Sequence, residues 1–371
     1  MRIDEVVNET DTVEPRPVPL ILDTDMGNDI DDALALAMIH GLQSRGECRL
    51  LGVTVSKDNP LAPAFVDVVN TFYGRSEVAI GMVRDGKTRD ERTFLRPVVT
   101  ARDNGHPRYA RTHPTSDYPE AVRTLRTLLS GERDGSVVLV MIGFSTNVAR
   151  LLDSAPDDFS PLDGVRLVAR KVSHVVAMAG DFSPEVQARL TLENREYNVH
   201  QDVESGARFF HGCPVPVIFS GYEVGIALPF PARSIEEDYG WAEHHPVAEA
   251  YRHYKPMPYD RPSWDLTAVL HAVRPWGGYF ELSEPGRVTI CPEGTAHFAK
   301  ETKGLHRFLV LPERQRPRVL NEFVGLCAQQ PPHCRRRCAH LAPAACAGRC
   351  ANEAAVHDET RLFTTPQGIT Q

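Results

Sequence analysis

Short apolar runs alternate along this chain with longer stretches whose apolar residues recur at helical spacing. Pro19-Leu20-Ile21-Leu22 is the first run, short enough for a buried strand. Residues 33–39, rich in Ala, Leu and Met, favour a buried helix. Further strands are expected at 49–55, 78–81, 137–142, 174–180 and 215–220, the last with a Pro hinting at an edge or a bend. Helices are expected at 62–73, 119–129 with Pro at an early position, 148–152 and 202–211, with Thr146 or Asn147 as a cap for the third. From 234 to 271 the pattern turns helical, with Trp241, His244, His245, Tyr251, His253, Tyr254 and Tyr259 within it. Short strands over 288–310 and a helix at 319–326 follow. This alternation predicts an α/β fold: a Rossmann-like, open, mixed and mostly parallel sheet with helices on both faces. Two stretches break the rhythm. Residues 84–118 read as a long polar loop of the lid or substrate-loop type, carrying His106 and His113. Residues 181–201 read as a second polar loop.

Between the first strand and the first helix lies Asp23-Thr24-Asp25-Met26-Gly27-Asn28-Asp29-Ile30-Asp31-Asp32, with five carboxylates in ten positions. Strand-to-helix exits are where open α/β sheets place their sites. The helix dipole tolerates Asp31 and Asp32 in the first turn. Carboxylates packed so densely repel one another and stay ionised cheaply only around a cation, for which hard oxygen ligands suit Ca²⁺ or Mg²⁺. A solvated acidic turn explains one or two Asp, but poorly explains five between core-like segments. Asp265 opens a late apolar helix, where an ordinary role is a first-turn acid.

The chain has 371 residues, 42% of them hydrophobic, and a net charge of −8. That length allows one large α/β domain or two small ones. The negative charge argues against nucleic acid or an anionic membrane surface as partner. No apolar run reaches membrane-span length, and the acidic N-terminus has no secretory pattern, so a cytoplasmic protein is the expectation. The expected organisation is a flexible lead-in over 1–17, a catalytic domain over 18–330, and a disordered Cys/Arg/Ala/Pro-rich tail over 331–371. Cys48, Cys213 and Cys291 read as ordinary buried thiols. Cys327, Cys334, Cys338, Cys346 and Cys350 crowd the end, with a spacing unlike common zinc sites.

Asp23-Thr24-Asp25-Met26-Gly27 with Asp31-Asp32-Ala33 resembles the N-terminal signature of the nucleoside hydrolases, the inosine-uridine-preferring family of N-ribohydrolases. The likeness continues in order. Asn59 resembles an Asn that follows the second strand. Gly143 to Asn147 resembles a Gly-x-x-Thr-Asn segment. Glu196-Tyr197-Asn198 resembles Glu-Phe-Asn with Asp202 four residues on, and Trp264-Asp265 a late His-Asp or Trp-Asp pair. The resemblance implies one Ca²⁺ per subunit, held by Asp25, Asp32, Asp265 and the main-chain carbonyl of Ile142. It implies that Asp25 is also the base acting on the attacking water. It places Asp31 and Asn59 at the ribose 2′-hydroxyl region, and Glu196 and Asn198 on the 3′- and 5′-hydroxyl side. It further implies a homo-oligomer, dimer or tetramer, acting on ribonucleosides to give ribose and free base. Carboxylates beside the ring suit the oxocarbenium-like state of N-glycoside cleavage.

Three departures from the family pattern are visible. Asn28-Asp29-Ile30 separates Gly27 from Asp31 where one residue is usual, so Asp29 is an alternative for the role given to Asp31. Asn194 is the candidate for a further ribose-contacting Asn. Trp264 stands where many members have a proton-donating His, which resembles the purine-preferring branch and its aromatic stacking. His106, His113, His244 and His245 are alternative acids. Two other readings compete: a haloacid-dehalogenase-type, Mg-dependent phosphatase built on Asp23-Thr24-Asp25, and a degenerate member that binds ribosides or Ca²⁺ without turnover.

Overall fold

The computed structural model describes residues 16–113, 117–189 and 196–331. In its first half the elements are β1 (Val18–Thr24), α1 (Asp31–Ser44), β2 (Cys48–Lys57), α2 (Leu61–Phe72), β3 (Ala79–Lys87), α3 (Leu95–Val99), β4 (Arg102–Asp103), β5 (His106–Pro107), α4 (Ala121–Gly131), β6 (Val137–Met141), α5 (Thr146–Asp153), α6 (Gly164–Lys171) and β7 (Val172–Met178). Next come α7 (Pro184–Arg189), α8 (Tyr197–Gln201), α9 (Val203–Gly212), β8 (Val217–Ser220), α10 (Tyr222–Ile226), β9 (Pro229–Phe230), α11 (Ala232–Glu237), α12 (Pro246–Tyr254), β10 (Arg261–Pro262) and α13 (Trp264–Val273). The last are β11 (Glu281–Leu282), β12 (Gly286–Ile290), β13 (Ala296–Lys300), β14 (His306–Val310) and α14 (Arg316–Cys327).

The main sheet runs β13-β12-β14-β8-β7-β6-β1-β2-β3, with β11 paired to β14. From β14 to β3 every neighbouring pair is parallel; the β11, β12 and β13 pairings are antiparallel. This is the mixed, mostly parallel sheet expected. The apolar runs 20–22, 137–141 and 175–178 fill its central strands because both faces are covered there. Leu20 and Leu22 of β1 face the core shared with α1, α2, α13 and α14, whereas Ile21 faces the core shared with α4, α5, α6 and α9. Strand order reverses beside β1, which has β2 on one side and β6 on the other. Such a reversal leaves a crevice at the carboxyl ends of the strands. Gly143, just after β6, closes the floor: a Cβ there would lie 2.3 Å from the Asp25 amide nitrogen. Gly27 turns the acidic loop at φ +107°, a region L side chains rarely adopt.

Several local expectations change. The 84–118 stretch is not one open loop: β3 extends into it, and α3 and the β4–β5 ladder follow. The 181–201 stretch holds α7 and α8, and α6 was not foreseen. Pro119 precedes helix α4, which Glu120 caps. Pro216 marks no edge, since β8 lies between β7 and β14; its carbonyl accepts the Val175 N–H at 2.9 Å. Neither Thr146 nor Asn147 caps α5. Thr146 donates to Asp202, and Asn147 donates to Asp23 at 2.8 Å. Cys291 is only partly buried, while Cys327 is fully buried in α14. Residues 1–15, Asn194, and the tail cysteines from Cys334 onward lie outside the described residues.

The packed chain continues past α14. Trp241 Nε1 donates to the Ala328 carbonyl at 3.1 Å, Gln329 Nε2 donates to the Gly41 carbonyl at 3.2 Å, and Arg45 Nε donates to Gln329 Oε1. A chain ended after Pro331 is therefore expected to keep the Tm and turnover of the full-length protein. One ended after Cys327 should lose stability, roughly 1 kcal/mol for each hydrogen bond removed. Thermal melts of the two truncations check this; unfolding of the first would make residues 332–371 part of the fold.

Candidate active site

A cavity of about 330 Å³ opens at the carboxyl ends of β1, β6 and β7. Asp25, Asp29, Asp31, Asp32, Ile142, Glu196, Asn198, Trp264 and Asp265 all line it. Asp31, Asp32 and Asp265 each offer a carboxylate oxygen within 4.8 Å of the others, the metal-sized cluster found among the described residues. Asp31 and Asp32 open α1, and Asp265 lies in the first turn of α13. Those two helices pack against each other across one face of the sheet. One oxygen of Asp31 accepts the Trp264 and Asp265 N–H groups, at 3.0 and 3.3 Å, and so joins the two helix starts. Thr24 donates to Asp32.

The electrostatics suit a cation. Burial, and then the charge of neighbouring acids, holds Asp31, Asp32 and Asp265 well above the usual carboxylate range. For Asp31 the neighbour is Asp29; Asp25 and Asp31 act on Asp32; Asp31 and Asp32 act on Asp265. Burial pushes Asp25 up to about 6, against hydrogen bonding from Asn28 and the charge of Lys57. A divalent cation with oxygen ligands removes that cost by compensating the mutual repulsion.

On the far wall Glu196 caps α8. Its carboxylate accepts N–H bonds from Asn198, Val199 and Gly180, at 2.7, 3.0 and 3.1 Å, while burial raises it to about 7. Asn198 donates through Nδ2 to the carbonyls of Ile142 and Met178, both at 3.1 Å. The Ile142 carbonyl therefore borders the cavity but already accepts an amide.

Some residues sit elsewhere than expected. Asn59 does not line the cavity; its amide donates to the Arg89 carbonyl and accepts the Leu61 N–H, both at 2.9 Å. Its place after β2 made it a start signal for α2, which satisfies both ends of the side chain locally. Asp29 does line the cavity, but Arg261 grips its carboxylate through Nε and Nη2. Asp25 is in the cavity yet outside the three-acid cluster. Asp23 is fully buried behind the cavity, bonded to Thr54 and Asn147 and pushed by burial up to about 7. That burial removes the nucleophile of the phosphatase reading.

Among the described residues no histidine lines the cavity. His245 is buried among Phe72, Tyr73, Tyr239 and Trp241, His244 bonds Glu249 at 2.9 Å, and His113 lies 3.4 Å from Asp67. His106 is exposed in the β4–β5 ladder. Sequence reading missed Asn28, Arg92, Tyr222 and Arg261 as cavity residues. Only Asn28 carried a signal, as part of the extra residues after Gly27.

A family model for inosine-uridine preferring nucleoside hydrolases matches residues 20–308. The chain belongs to this family. Among solved structures, a plant nucleoside hydrolase is similar at 19% identity and TM-score 0.60, covering 84% of this chain and 99% of that one. A purine-preferring ribonucleoside hydrolase from Gardnerella vaginalis is similar at 18% and 0.62, covering 84% and 98%. The type III effector protein XopQ, complexed with adenosine diphosphate ribose, is similar at 16% and 0.56, covering 85% and 94%. At these identities the likeness shows the nucleoside hydrolase fold alone. No curated protein matches this chain by sequence. Membership of the nucleoside hydrolases supports hydrolysis of ribonucleosides. No helix among the described residues is long and apolar enough to cross a membrane.

Proposed function

We propose that this nucleoside hydrolase is a divalent-cation-dependent, purine-preferring ribonucleoside hydrolase, with Ca²⁺ as its ion. One observation carries the reading: Asp31 and Asp32 from one end of the chain meet Asp265 from the other inside a single cavity. Asp25, Asp32 and Asp265 hold the ion, with the Ile142 carbonyl beside them. When bound, the ion supplies the positive charge that makes a neighbouring water acidic at neutral pH. Asp25 takes the proton from that water. Asp31 holds the ribose on the side of the three acids, through the oxygen not engaged by the α13 backbone. Glu196 and Asn198 hold the opposite hydroxyls. Buried carboxylates beside the ring then oppose the positive charge that develops as the base leaves.

Release of reducing sugar from a panel of ribonucleosides, with and without chelator, tests this. Ribose release that stops in chelator and returns with Ca²⁺ is the expected result. Ligand-induced stabilisation without any turnover would instead identify a riboside-binding member. Arg92 lines the cavity beside Tyr197, with Nη2 3.4 Å from its hydroxyl. A guanidinium there suits a phosphorylated riboside, the class of ligand in the XopQ complex, so adenosine diphosphate ribose belongs in the panel.

The base end is aromatic. Trp264 stacks on Tyr222 with ring centres 5.5 Å apart, and its Nε1 donates to the Tyr222 carbonyl at 3.0 Å. The Arg261 guanidinium sits 5.1 Å from the Trp264 ring centre and 5.4 Å from that of Tyr254. The indole N–H is engaged and cannot protonate a leaving base as an imidazolium would. Trp264→Ala is expected to lower kcat/KM for purine ribosides roughly 10- to 100-fold, the scale of one base–aromatic stack. p-Nitrophenyl riboside, whose phenolate leaves unprotonated, should change little. Equal loss on both substrates would make Trp264 a support of the fold or of Asp265.

A further inference from the structure

We propose that Lys57 is a positioning residue for this hydrolysis, acting through Asn28 to orient the carboxylate of Asp25. The inference rests on the reading of Asp25 as the base. Lys57 ends β2, and its side chain is fully buried. Its Nζ donates to Asn28 Oδ1 at 2.8 Å, to the Thr88 carbonyl at 2.9 Å, and to Asp90 Oδ1 at 3.3 Å. Asn28 in turn donates through Nδ2 to Asp25 Oδ2 at 2.7 Å and to Thr88 Oγ1 at 3.2 Å. An ammonium has three hydrogens to donate and no lone pair. Whatever faces it must be an oxygen, so Lys57 dictates which way the Asn28 amide points. In the opposite orientation the amide NH₂ would face the ammonium and the amide oxygen would face the Asp25 carboxylate, two repulsions in place of two hydrogen bonds.

The consequence falls on Asp25. Its Oδ2 is occupied by the amide, which leaves Oδ1 for the cavity. The rotation of the carboxylate is thereby set before substrate arrives, and alignment of a base with its proton is worth orders of magnitude in rate. A simple buried ion pair explains Lys57 poorly. Among the described residues its only charged hydrogen-bond partner, Asp90, has its side chain half exposed and makes the longest of the three contacts. Asn28 belongs to the residues added between Gly27 and Asp31, as does Asp29, which Arg261 grips. The added residues thus fasten the acidic loop at two points, and one of these reaches the base.

The test measures kcat and KM on p-nitrophenyl riboside for Lys57→Met, Asn28→Ala, their double mutant and Asp90→Ala, each with its Tm. Lys57→Met and Asn28→Ala are each expected to lower kcat roughly 10- to 100-fold, the effect of one charge-assisted hydrogen bond, with KM nearly unchanged. The double mutant should be no worse than the poorer single mutant, because both break one chain. Asp90→Ala removes the loop partner of Lys57 together with the ion pair to Arg92 at 2.8 Å, leaves the Lys57–Asn28–Asp25 chain intact, and should keep kcat on p-nitrophenyl riboside, which has no phosphate for Arg92 to meet. If Lys57→Met fails to fold, the contrast between Asn28→Ala and Asp90→Ala decides. Full kcat in Asn28→Ala, multiplying losses in the double mutant, or an equal loss in Asp90→Ala would overturn the positioning role while wild-type activity stands. A wild-type protein that hydrolyses no riboside would remove the underlying reading, and this role with it.

Discussion

Asp25→Ala is expected to lower kcat for ribonucleosides by roughly 10²- to 10⁴-fold, the usual contribution of a positioned base, with a smaller change in KM. Asp25 lines the cavity but is not one of the three acids whose oxygens converge within 4.8 Å. Its loss leaves Asp32 and Asp265 to hold the cation, and Asp31, Glu196 and Asn198 to hold ribose. What disappears is one carboxylate beside the ion and, above all, the group that takes the proton, an interaction realised mainly in the transition state. Asp265→Ala should differ in kind. It removes a ligand that takes no proton, so the loss falls chiefly on cation affinity and added Ca²⁺ restores part of its activity. Steady-state kinetics on inosine, with Ca²⁺ varied for both mutants, separates the two. Full activity in Asp25→Ala, or in wild-type enzyme dialysed exhaustively against chelator, would end the proposal.

Stripped of divalent ions, the protein should lose stability as pH rises through neutrality, and Ca²⁺ should return it. Burial raises Asp25 to about 6, and Asp23 and Glu196 to about 7; Asp31, Asp32 and Asp265 are also raised. A group whose folded pKa lies above its unfolded value binds more protons in the folded state. Its stabilising contribution is complete below the unfolded value, near 3.8 for Asp, and disappears as pH climbs through the folded one. A bound cation favours the ionised form and opposes the loss. The Ca²⁺-induced rise in Tm should therefore be small at pH 5 and large at pH 8. At a hundredfold excess over Kd the stabilisation is about 2.7 kcal/mol, on the order of 5 °C for a chain of this size. Differential scanning fluorimetry at the two pH values measures it. Equal shifts at both, or none at pH 8, would show that the acids do not share a cation.

Much was legible from local pattern. A parallel strand covered on both faces must be apolar along its length, so β1, β6 and β7 announced themselves as continuous runs. A strand and a helix so close in sequence leave only a short exit loop between them, which put Asp25, Asp31 and Asp32 at the strand ends where a cavity opens. Periodicity served less well for α3, α6 and α8, because an element of one or two turns is too short for a helical period to stand out along the chain.

The partners of single side chains were decided only by the tertiary structure. Asp23 and Asp25 lie two residues apart, yet one is sealed behind the cavity by Thr54 and Asn147 and the other lines it. Asp29 and Arg261 are 232 positions apart and grip each other; nothing local marks them as partners. Asn59 occupies its expected place in sequence but turns its amide to the start of α2. Lys57 lies two residues past the strand expected at 49–55 and is buried, its charge matched by oxygens from two loops. Hydrophobic pattern determines which segments pair and cover one another, since burial follows from composition. The direction of a buried polar group depends on which donors and acceptors the rest of the fold brings within about 3 Å, and that is a property of the packed chain alone.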